Sequence, residues 1–282
     1  MPDNCRMILV TKAVHDVLKA ARESLNGRES RRVDISLDLG RSLTPAELTI
    51  SAWRPAHAAA DLPYCESCRD HTVYAWQNGQ WEPVQRYSNA LIKLVPTDWG
   101  APTFEIDGIK MLPTAQVSPW TDAQRKVALI APRGKTILDC CGGLGYFAAA
   151  AMAAGAAHIL SFEKNPDVIW LRGINPWSPQ ADPALTLENG DISDAITALP
   201  DARFDAVLHD PPRFGIAGEL YSQSFYDQLA RVLKRRGRLF HYTGTPNRLT
   251  SGRDVPGEVM RRLQRSGFTV KREGDGLLAV RG

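Results

Sequence analysis

The sequence has no long apolar run, few cysteines and little net charge, and each shortage excludes a class of protein. No apolar run approaches the roughly 18 residues that a helix needs to cross a bilayer, and the amino terminus lacks the basic start and long apolar centre of a signal peptide. Five cysteines, an odd number without secretory features, argue against a disulfide framework. The formal net charge of +3 is nearly neutral for 282 residues. We therefore expect a soluble, cytoplasmic protein with no membrane partner.

One pair of cysteines has the spacing of a metal site. Cys65 and Cys68 form a single Cys-x-x-Cys, with His71 three residues later and His57 eight residues earlier. Four ligands of these types can hold a zinc ion. Two reduced thiols in a loop have the same spacing and form no site, so both interpretations stay open and no metal ligand is assigned.

The first 117 residues predict a small, strand-rich α+β module. An apolar stripe predicts a helix over Lys12–Leu25, and alternating apolar and polar residues predict a strand over 33–39. The dipeptides at 78–79 (Asn-Gly) and 107–108 (Asp-Gly) predict two tight hairpins, because both tolerate positive φ. We expect this module to act as a lid on the substrate side of the domain that follows.

Residues 118–282 alternate between strand and helix patterns. Thr121 and Gln124 have the spacing of a capping box, which places the start of a helix at Thr121. The alternation predicts an α/β fold with a doubly wound, mostly parallel, seven-stranded Rossmann-like sheet, whose ligand lies at the carboxyl ends of the strands. The predicted strands cover 136–140, 158–163, 185–187, 204–209, 238–242, 268–271 and 277–280, and the later helices cover 146–154, 166–175, 223–234 and 255–266.

A glycine-rich turn and four acids mark the ends of four predicted strands. The stretch "TILDCCGGLGYF" (136–147) ends a strand at Asp139 and turns through three glycines, which allow the backbone to approach a ligand closely. The next three strands are followed by Glu163, Asp191 and Asp210. Four carboxylates make a poor phosphate site. They suit a ligand with a sulfonium, an ammonium, a ribose diol and an exocyclic amine, and S-adenosylmethionine carries all four groups.

Residues 118–282 resemble class I S-adenosylmethionine-dependent methyltransferases in this turn, in the following acids and in the Asp-Pro-Pro motif at 210–212. The resemblance implies that the glycines line the methionine moiety, that Glu163 binds the ribose and that Asp191 with Ile192 frames the adenine. The stretches "NPWS" (175–178), "HDPPRF" (209–214) and "GRDV" (252–255) further resemble a little-characterised, archaeal-type group of predicted methyltransferases that approach spermidine synthases in style. The implied cofactor contacts are Asp139, Gly142, Gly143, Gly145, Tyr146, Glu163, Lys164, Asp191, Ile192 and Asp210.

The resemblance also supplies three candidate catalytic residues. In amino methyltransferases with Asn or Asp before Pro-Pro, this acid or amide accepts a hydrogen bond from the nucleophilic nitrogen, so the resemblance gives Asp210 the role of holding an amine. Arg213 departs from the pattern, because an aromatic residue that stacks on a flat base stands there in the family; we expect a carboxylate-binding role for this cation. Tyr242 is the third candidate, through cation–π contact with the sulfonium.

Three reactions remain open at this stage. One is methyl transfer to the amine of a small molecule. Another is cyclisation of S-adenosylmethionine to azetidine-2-carboxylate with release of methylthioadenosine, since some bacterial azetidine-2-carboxylate synthases resemble methyltransferases of this kind. The third is methylation of RNA or another nucleic acid, supported by basic clusters at 234–238 and 261–265, which equally fit helix ends. Because an arginine stands at the stacking position, we expect a small-molecule substrate and no nucleic-acid partner.

Overall fold

The computed structural model describes residues 7–244 and 254–282. Contacts divide the chain into two compact units. The first unit comprises Met1–Pro119 and Gly173–Trp177, and the second comprises Trp120–Arg172 and Ser178–Gly282. Within the part of the chain that is described, no helix has the length and apolar character needed to cross a membrane.

The first unit contains one helix and three small antiparallel sheets. Helix α1 (Lys12–Glu23) begins after Thr11, whose hydroxyl accepts a hydrogen bond from the Val14 amide, and it buries Leu18 and Ala21. The sheets have the strand orders β1-β5-β6, β2-β3-β4 and β10-β9-β8-β7. The strands are β1 (Leu9–Val10), β2 (Arg31–Ile35), β3 (Thr44–Leu48), β4 (Trp53–Pro55), β5 (Tyr74–Gln77), β6 (Gln80–Pro83), β7 (Gln85–Tyr87), β8 (Leu91–Val95), β9 (Thr103–Ile106) and β10 (Ile109–Lys110).

Both predicted hairpins are confirmed. Asn78 and Gly79 join β5 to β6, and Asp107 and Gly108 join β9 to β10, all four with positive φ. The strand predicted over 33–39 ends early, at Ile35. The reason is a turn organised by Asp38, whose carboxylate accepts hydrogen bonds from the amides of residues 41 and 42 and from two serine hydroxyls.

The second unit is built on a seven-stranded sheet of order β13-β12-β11-β14-β15-β17-β16. The pairs among β11 to β15 are parallel, and β17 runs antiparallel to both of its neighbours. The strands are β11 (Thr136–Asp139), β12 (His158–Glu163), β13 (Leu185–Asn189), β14 (Phe204–His209), β15 (Leu233–Tyr242), β16 (Phe268–Glu273) and β17 (Gly276–Arg281). The predicted α/β, doubly wound, mostly parallel sheet is therefore confirmed, as is the strand-rich first module.

The helices of this unit pack apolar stripes against the sheet. Helix α6 buries Phe225, Leu229 and Val232 on one face. Helix α7 buries Val255, Val259 and Leu263, which also share one face. Helix α2 begins at Pro119, two residues before the predicted start, because the fixed φ of proline suits the first helical position. The helices are α2 (Pro119–Leu129), α3 (Tyr146–Ala153), α4 (Pro166–Ile174), α5 (Ile192–Ala195), α6 (Gln223–Val232) and α7 (Val255–Arg265).

The order of the strands indicates where on the sheet a ligand would bind. The chain moves outward from β11 through β12 to β13, then returns to β14 on the other side of β11. Ligands of open α/β sheets bind at the carboxyl ends of the strands where the order reverses in this way. This switch point lies between the end of β11, at Asp139, and the end of β14, next to Asp210.

Candidate active site

A buried ionic network lies at the end of β11. Asp139 is fully buried and accepts a hydrogen bond of 2.8 Å from the Ser161 hydroxyl. Arg172, also buried, approaches the same hydroxyl at 3.4 Å. Burial raises the pKa of Asp139 to about 6, although Ser161 and Arg172 act in the opposite direction. One oxygen of Asp139 and one terminal nitrogen of Arg172 have no hydrogen-bond partner among the described residues.

Arg172 lies next to the glycine turn and limits which residues fit there. Gly145 has φ +82°, and a Cβ there would lie 2.6 Å from the guanidinium carbon of Arg172 and 2.7 Å from Pro179. A Cβ on Gly142 would collide with the Ser161 hydroxyl and lie 3.0 Å from Arg172. These two glycines therefore leave room for protein atoms beneath the turn, a function that their sequence pattern does not reveal.

Glu163 joins the second strand end to the glycine turn. One carboxylate oxygen accepts a hydrogen bond of 2.9 Å from the Gly143 amide, and the other accepts one of 2.9 Å from the Asn165 amide. Burial raises the pKa of Glu163, against the lowering effect of these two amides. Each oxygen keeps a further lone pair that can accept a hydrogen bond from a hydroxyl. The predicted ribose acid is thus held rigidly beside the turn.

Asp191 acts as the amino-terminal cap of α5. Its Oδ1 accepts hydrogen bonds of 2.8 Å from both the amide and the hydroxyl of Ser193, and its Oδ2 lies 3.3 Å from the Lys164 ammonium. Burial raises the pKa of Asp191, but the Ser193 bonds and Lys164 outweigh it, and the net shift is downward. Ile192, next along the chain, is buried in the core. Asp191 is therefore an ionised cap whose carboxylate already has partners.

The strongest electrostatic feature is a buried lysine surrounded by three carboxylates. The Lys126 ammonium lies 2.7 Å from Asp122, 3.6 Å from Asp275 and 3.9 Å from Asp210, and only 3% of the residue is exposed. It also lies 4.1 Å from the centre of the Tyr242 ring. Burial lowers the pKa of Lys126, but the three acids outweigh it and raise the net value. We call these five residues the lysine cluster.

Asp210 is the member of the lysine cluster with the weakest internal contact. Its only ion pair in the described structure is the 3.9 Å approach to Lys126, and 21% of its side chain is exposed. Burial raises its pKa to about 6, Lys126 lowers it, and Asp122 and Asp275 raise it further. Asp210 thus has carboxylate oxygens open to an additional donor.

Tyr242 is engaged by protein rather than open on all sides. One face of its ring carries the Lys126 ammonium. Burial, then the nearby Asp210, raises the pKa of its hydroxyl to about 12. Tyr242 is therefore a neutral phenol at physiological pH. Its ring makes a cation–π contact with Lys126, whereas the contact expected with a sulfonium stays a prediction.

The turn after Asp210 is fastened to the fold from two sides. The Tyr221 hydroxyl donates a hydrogen bond of 2.9 Å to the Pro212 carbonyl, and the Tyr221 ring packs edge-on against Phe214 at 5.4 Å. The Nε2 of His209 contacts the Leu220 carbonyl at 3.1 Å. Arg213, in contrast, is exposed at the surface and is not part of the lysine cluster.

Two buried histidines support the strand ends behind Asp210 and Tyr242. His209 and His241 are paired across β14 and β15, with ring centres 4.5 Å apart. The Nδ1 of His241 contacts the Tyr242 carbonyl at 2.8 Å, so its Nε2 accepts the hydrogen bond from the Tyr226 hydroxyl. Burial lowers the pKa of His209 to about 4 and that of His241 well below its ordinary value. Both imidazoles are neutral supports.

The structure brings most of the predicted site residues to one edge of the sheet, in two groups. Asp139 and the glycines at 142, 143 and 145 lie with Glu163 around the turn, whereas Asp210 and Tyr242 belong to the lysine cluster. Tyr146 is buried at the start of α3 and packs edge-on against Trp120 at 6.3 Å.

Sequence reasoning missed Asp122, Asp275 and the role of Arg172. Asp122 and Lys126 are four residues apart on α2, a spacing that signals a helical ion pair. Asp275 lies in the turn between β16 and β17, and no local pattern connects it to Asp210.

The stretches "NPWS" and "GRDV" and the cysteine pair are not part of the two groups of site residues described above. In "NPWS", the Trp177 indole donates to the Leu39 carbonyl within the first unit, and Ser178 donates to the Leu144 carbonyl within the second. Of "GRDV", residues 252 and 253 lie outside the described residues. Across 7–244 and 254–282, no group of three or more histidine, cysteine or acidic side chains is arranged to hold a metal, so the geometry does not support the zinc interpretation.

Comparison with known proteins identifies a relative over nearly the whole chain. No protein-family model matches. The uncharacterized protein MJ1233 of Methanocaldococcus jannaschii is 37% identical over 287 residues, covering 98% of each chain. The chain belongs to the MJ1233 family. The name of this relative assigns no activity. The comparison therefore shows the family, and the reaction has to be inferred from the residues of the site.

Solved structures support the fold. A spermidine synthase in complex with the transition state analogue AdoDATO has a TM-score of 0.55 and 16% identity, covering 70% of this chain and 73% of that one. The spermidine synthase of Thermotoga maritima has a TM-score of 0.53 and 17% identity, covering 73% and 77%. At these identities the likeness shows a shared fold, the one seen in spermidine synthases, and no more.

Replacing Lys126 tests the electrostatics of the lysine cluster. Without this cation the carboxylates repel one another, so we expect Lys126→Met to raise the pKa of Asp210 by about 1–3 units. Carboxyl-selective NMR titration measures the shift. Lys126→Arg, which keeps the charge, and Lys135→Met, at the other end of β11, serve as controls; a pKa of about 6 that is unchanged in Lys126→Met would contradict the assignment.

The packing under the glycine turn makes a separate prediction. Gly145→Ala combines a positive φ with a collision against Arg172, so we expect a loss of about 2–4 kcal/mol in the free energy of unfolding. Gly134→Ala is the matched control, because Gly134 has φ +69° but no atom within 4 Å of the added Cβ. Urea unfolding compares the two. Equal losses would show that the arginine contact has no energetic weight.

Proposed function

We propose that the protein is an S-adenosylmethionine-dependent enzyme that acts on an amine held at Asp210. The observation that carries the proposal is the open carboxylate of Asp210 at the sheet's switch point, facing the same edge as the glycine turn and Glu163. The AdoDATO complex of a protein with this fold supports the choice of an adenosyl ligand.

The geometry of the glycine turn supports the cofactor contacts that we propose. Glu163 accepts the ribose hydroxyls with the lone pairs that its two amide bonds leave unused. The glycine turn borders the methionine moiety, and Asp191 with Ile192 borders the adenine. When bound, the cofactor supplies a sulfonium with activated carbon–sulfur bonds. The surplus of carboxylates at this edge stabilises that positive charge.

Asp210 orients the nucleophile. Its carboxylate accepts a hydrogen bond from the amine, directs the nitrogen lone pair at the activated carbon and receives the proton as the carbon–nitrogen bond forms and the carbon–sulfur bond breaks. The sulfur leaves as a neutral thioether. Pro211 and Pro212 restrict the backbone after Asp210, and the Tyr221 hydroxyl fixes the Pro212 carbonyl. The carboxylate is thereby held in one place.

Two reactions share this arrangement. Methyl transfer uses the amine of an external small molecule and leaves S-adenosylhomocysteine. Cyclisation uses the cofactor's own α-amine, which attacks its γ carbon to close azetidine-2-carboxylate and releases methylthioadenosine. Both reactions need one amine held at Asp210, so this carboxylate supports them equally. Cyclisation needs no second binding site, because the ligand supplies its own nucleophile.

A product assay separates the two reactions and tests the role of Asp210. Cyclisation predicts methylthioadenosine from protein and cofactor alone, whereas methyl transfer predicts S-adenosylhomocysteine only when an amine is added. We expect Asp210→Asn to lower kcat by about 100-fold or more in either case, because the proton acceptor is lost. Asp194→Asn, on the exposed side of α5, is the control. Unchanged turnover in a folded Asp210→Asn protein would refute the assignment.

The raised pKa of Asp210 also predicts its effect on stability. Its folded value of about 6 exceeds the ordinary 3.8, so the folded state binds more protons between these values, and the charged form destabilises the fold above about pH 6. Asp210→Asn should match the wild type below about pH 3.8, gain on it as the pH rises, and exceed its free energy of unfolding by up to about 3 kcal/mol above pH 6. Denaturant titrations at several pH values check this. A variant that is less stable at pH 7.5 would contradict it.

A further inference from the structure

The opposite edge of the same sheet carries a surplus of positive charge. The parallel strands β11, β14 and β15 start side by side, so the residues before and at their starts lie along one edge. The stretches 131–136, 199–205 and 233–238 contain seven cations and two acids, which we call the basic edge. The cations are Arg133, Lys135, Arg203, Lys234, Arg235, Arg236 and Arg238, and the acids are Asp201 and Asp205.

A bulge in β15 presents three of these cations together. Phe204 of β14 pairs with Leu233, but Ala206, two residues on, pairs with Arg238, so four residues of β15 project from the ladder. Arg236 has φ +61°, an unusual conformation for a residue with a side chain, and a Cβ on Gly237 would lie 2.6 Å from the Leu233 side chain. Bulges of this kind redirect side chains. Here the bulge exposes Lys234, Arg235 and Arg236 in succession.

Contacts within the protein occupy only some of the cations near this edge. The Arg231 guanidinium binds Asp201 and the carbonyls of Ile196 and Leu199. Lys234 pairs with Asp205 at 2.7 Å. The side chains of Arg235 and Arg236 are exposed and make no hydrogen bond or ion pair with any described residue. Their charge is available to an outside partner.

We propose that the basic edge binds the phosphate backbone of a nucleic acid. The guanidinium of an arginine can donate two parallel hydrogen bonds to one phosphate. Several cations in a row can neutralise successive phosphates of a nucleic-acid backbone. Stable binding to a membrane surface or to another protein commonly adds exposed apolar side chains to such a charged patch. The large exposed apolar side chains of the described structure all lie outside the three stretches of the basic edge.

The basic edge is independent of the proposed reaction. A strand of six residues such as β14 separates its two ends by about 17 Å. A backbone held at the amino ends of the strands therefore does not place a base at Asp210, which follows the carboxyl end. Nucleic acid at this edge is a docking partner and not the amine substrate. The proposal therefore keeps the expectation of a small-molecule substrate and replaces the expectation of no nucleic-acid partner.

Charge reversal of the bulge tests the proposal on the full-length protein. The probe is a labelled single-stranded oligouridylate, with affinity measured by fluorescence anisotropy between about 0.05 and 0.2 M salt. We expect Arg235→Glu/Arg236→Glu to weaken binding about tenfold or more and to reduce the salt slope by about 1.4, since each phosphate contact contributes about 0.7. Lys271→Glu/Arg272→Glu, an adjacent exposed pair on β16, is the matched control and should bind as the wild type does.

Several outcomes would overturn the proposal. These are absence of salt-dependent binding, equal weakening by the control pair, or tighter binding to vesicles of phosphatidylcholine with phosphatidylserine, or to polyglutamate, than to the oligonucleotide. Circular dichroism of each variant shows whether the fold is retained. Turnover of S-adenosylmethionine should be unchanged in Arg235→Glu/Arg236→Glu, which separates failure of this proposal from failure of the proposed reaction.

Discussion

The ammonium of Lys126 is the interaction on which the candidate site depends. Three carboxylates at the carboxyl edge of the sheet would repel one another in a partly buried setting, and one lysine at 2.7 to 3.9 Å holds them together. The lysine approaches Asp122 most closely and Asp210 least, so the charge of Asp210 is only partly compensated. A buried cation therefore offsets the repulsion among the acids and leaves one carboxylate with room for a further donor.

Charge in the second unit is separated along the strands. Acids follow the strands at the carboxyl edge, where the backbone turns and a ligand can approach, and cations precede them at the amino edge. The two edges therefore differ in the ligands that we propose for them: a cationic small molecule at the acidic edge and a chain of phosphates at the basic edge. The near-neutral net charge of the whole chain conceals this separation.

The sheet could be predicted from the sequence, because apolar periodicity marks its strands and the alternation of strands with helices indicates parallel pairing. Six of the seven strands fall near their predicted positions, and Glu163 and Asp210 lie at strand ends as expected. The exception is β15, which starts at Leu233, five residues before its predicted start, because the bulge extends its pairing with β14. The lysine cluster could not be predicted, because Asp275 reaches Lys126 from a turn about 150 residues away in sequence, and only tertiary packing brings them together. Arg213 is exposed at the surface, outside the lysine cluster, so the carboxylate-binding role expected for it stays a prediction.

Arg172 has a consequence for how this family can diversify. Its guanidinium occupies the volume that side chains on Gly142 and Gly145 would need, and it shares a hydroxyl with Asp139 through Ser161. Substitutions at these positions are therefore coupled: relatives that keep the arginine could not carry alanine in the turn without a rearrangement, whereas its loss would remove one of the obstacles to a Cβ there. Covariation among these five positions would be the evolutionary trace of that steric linkage.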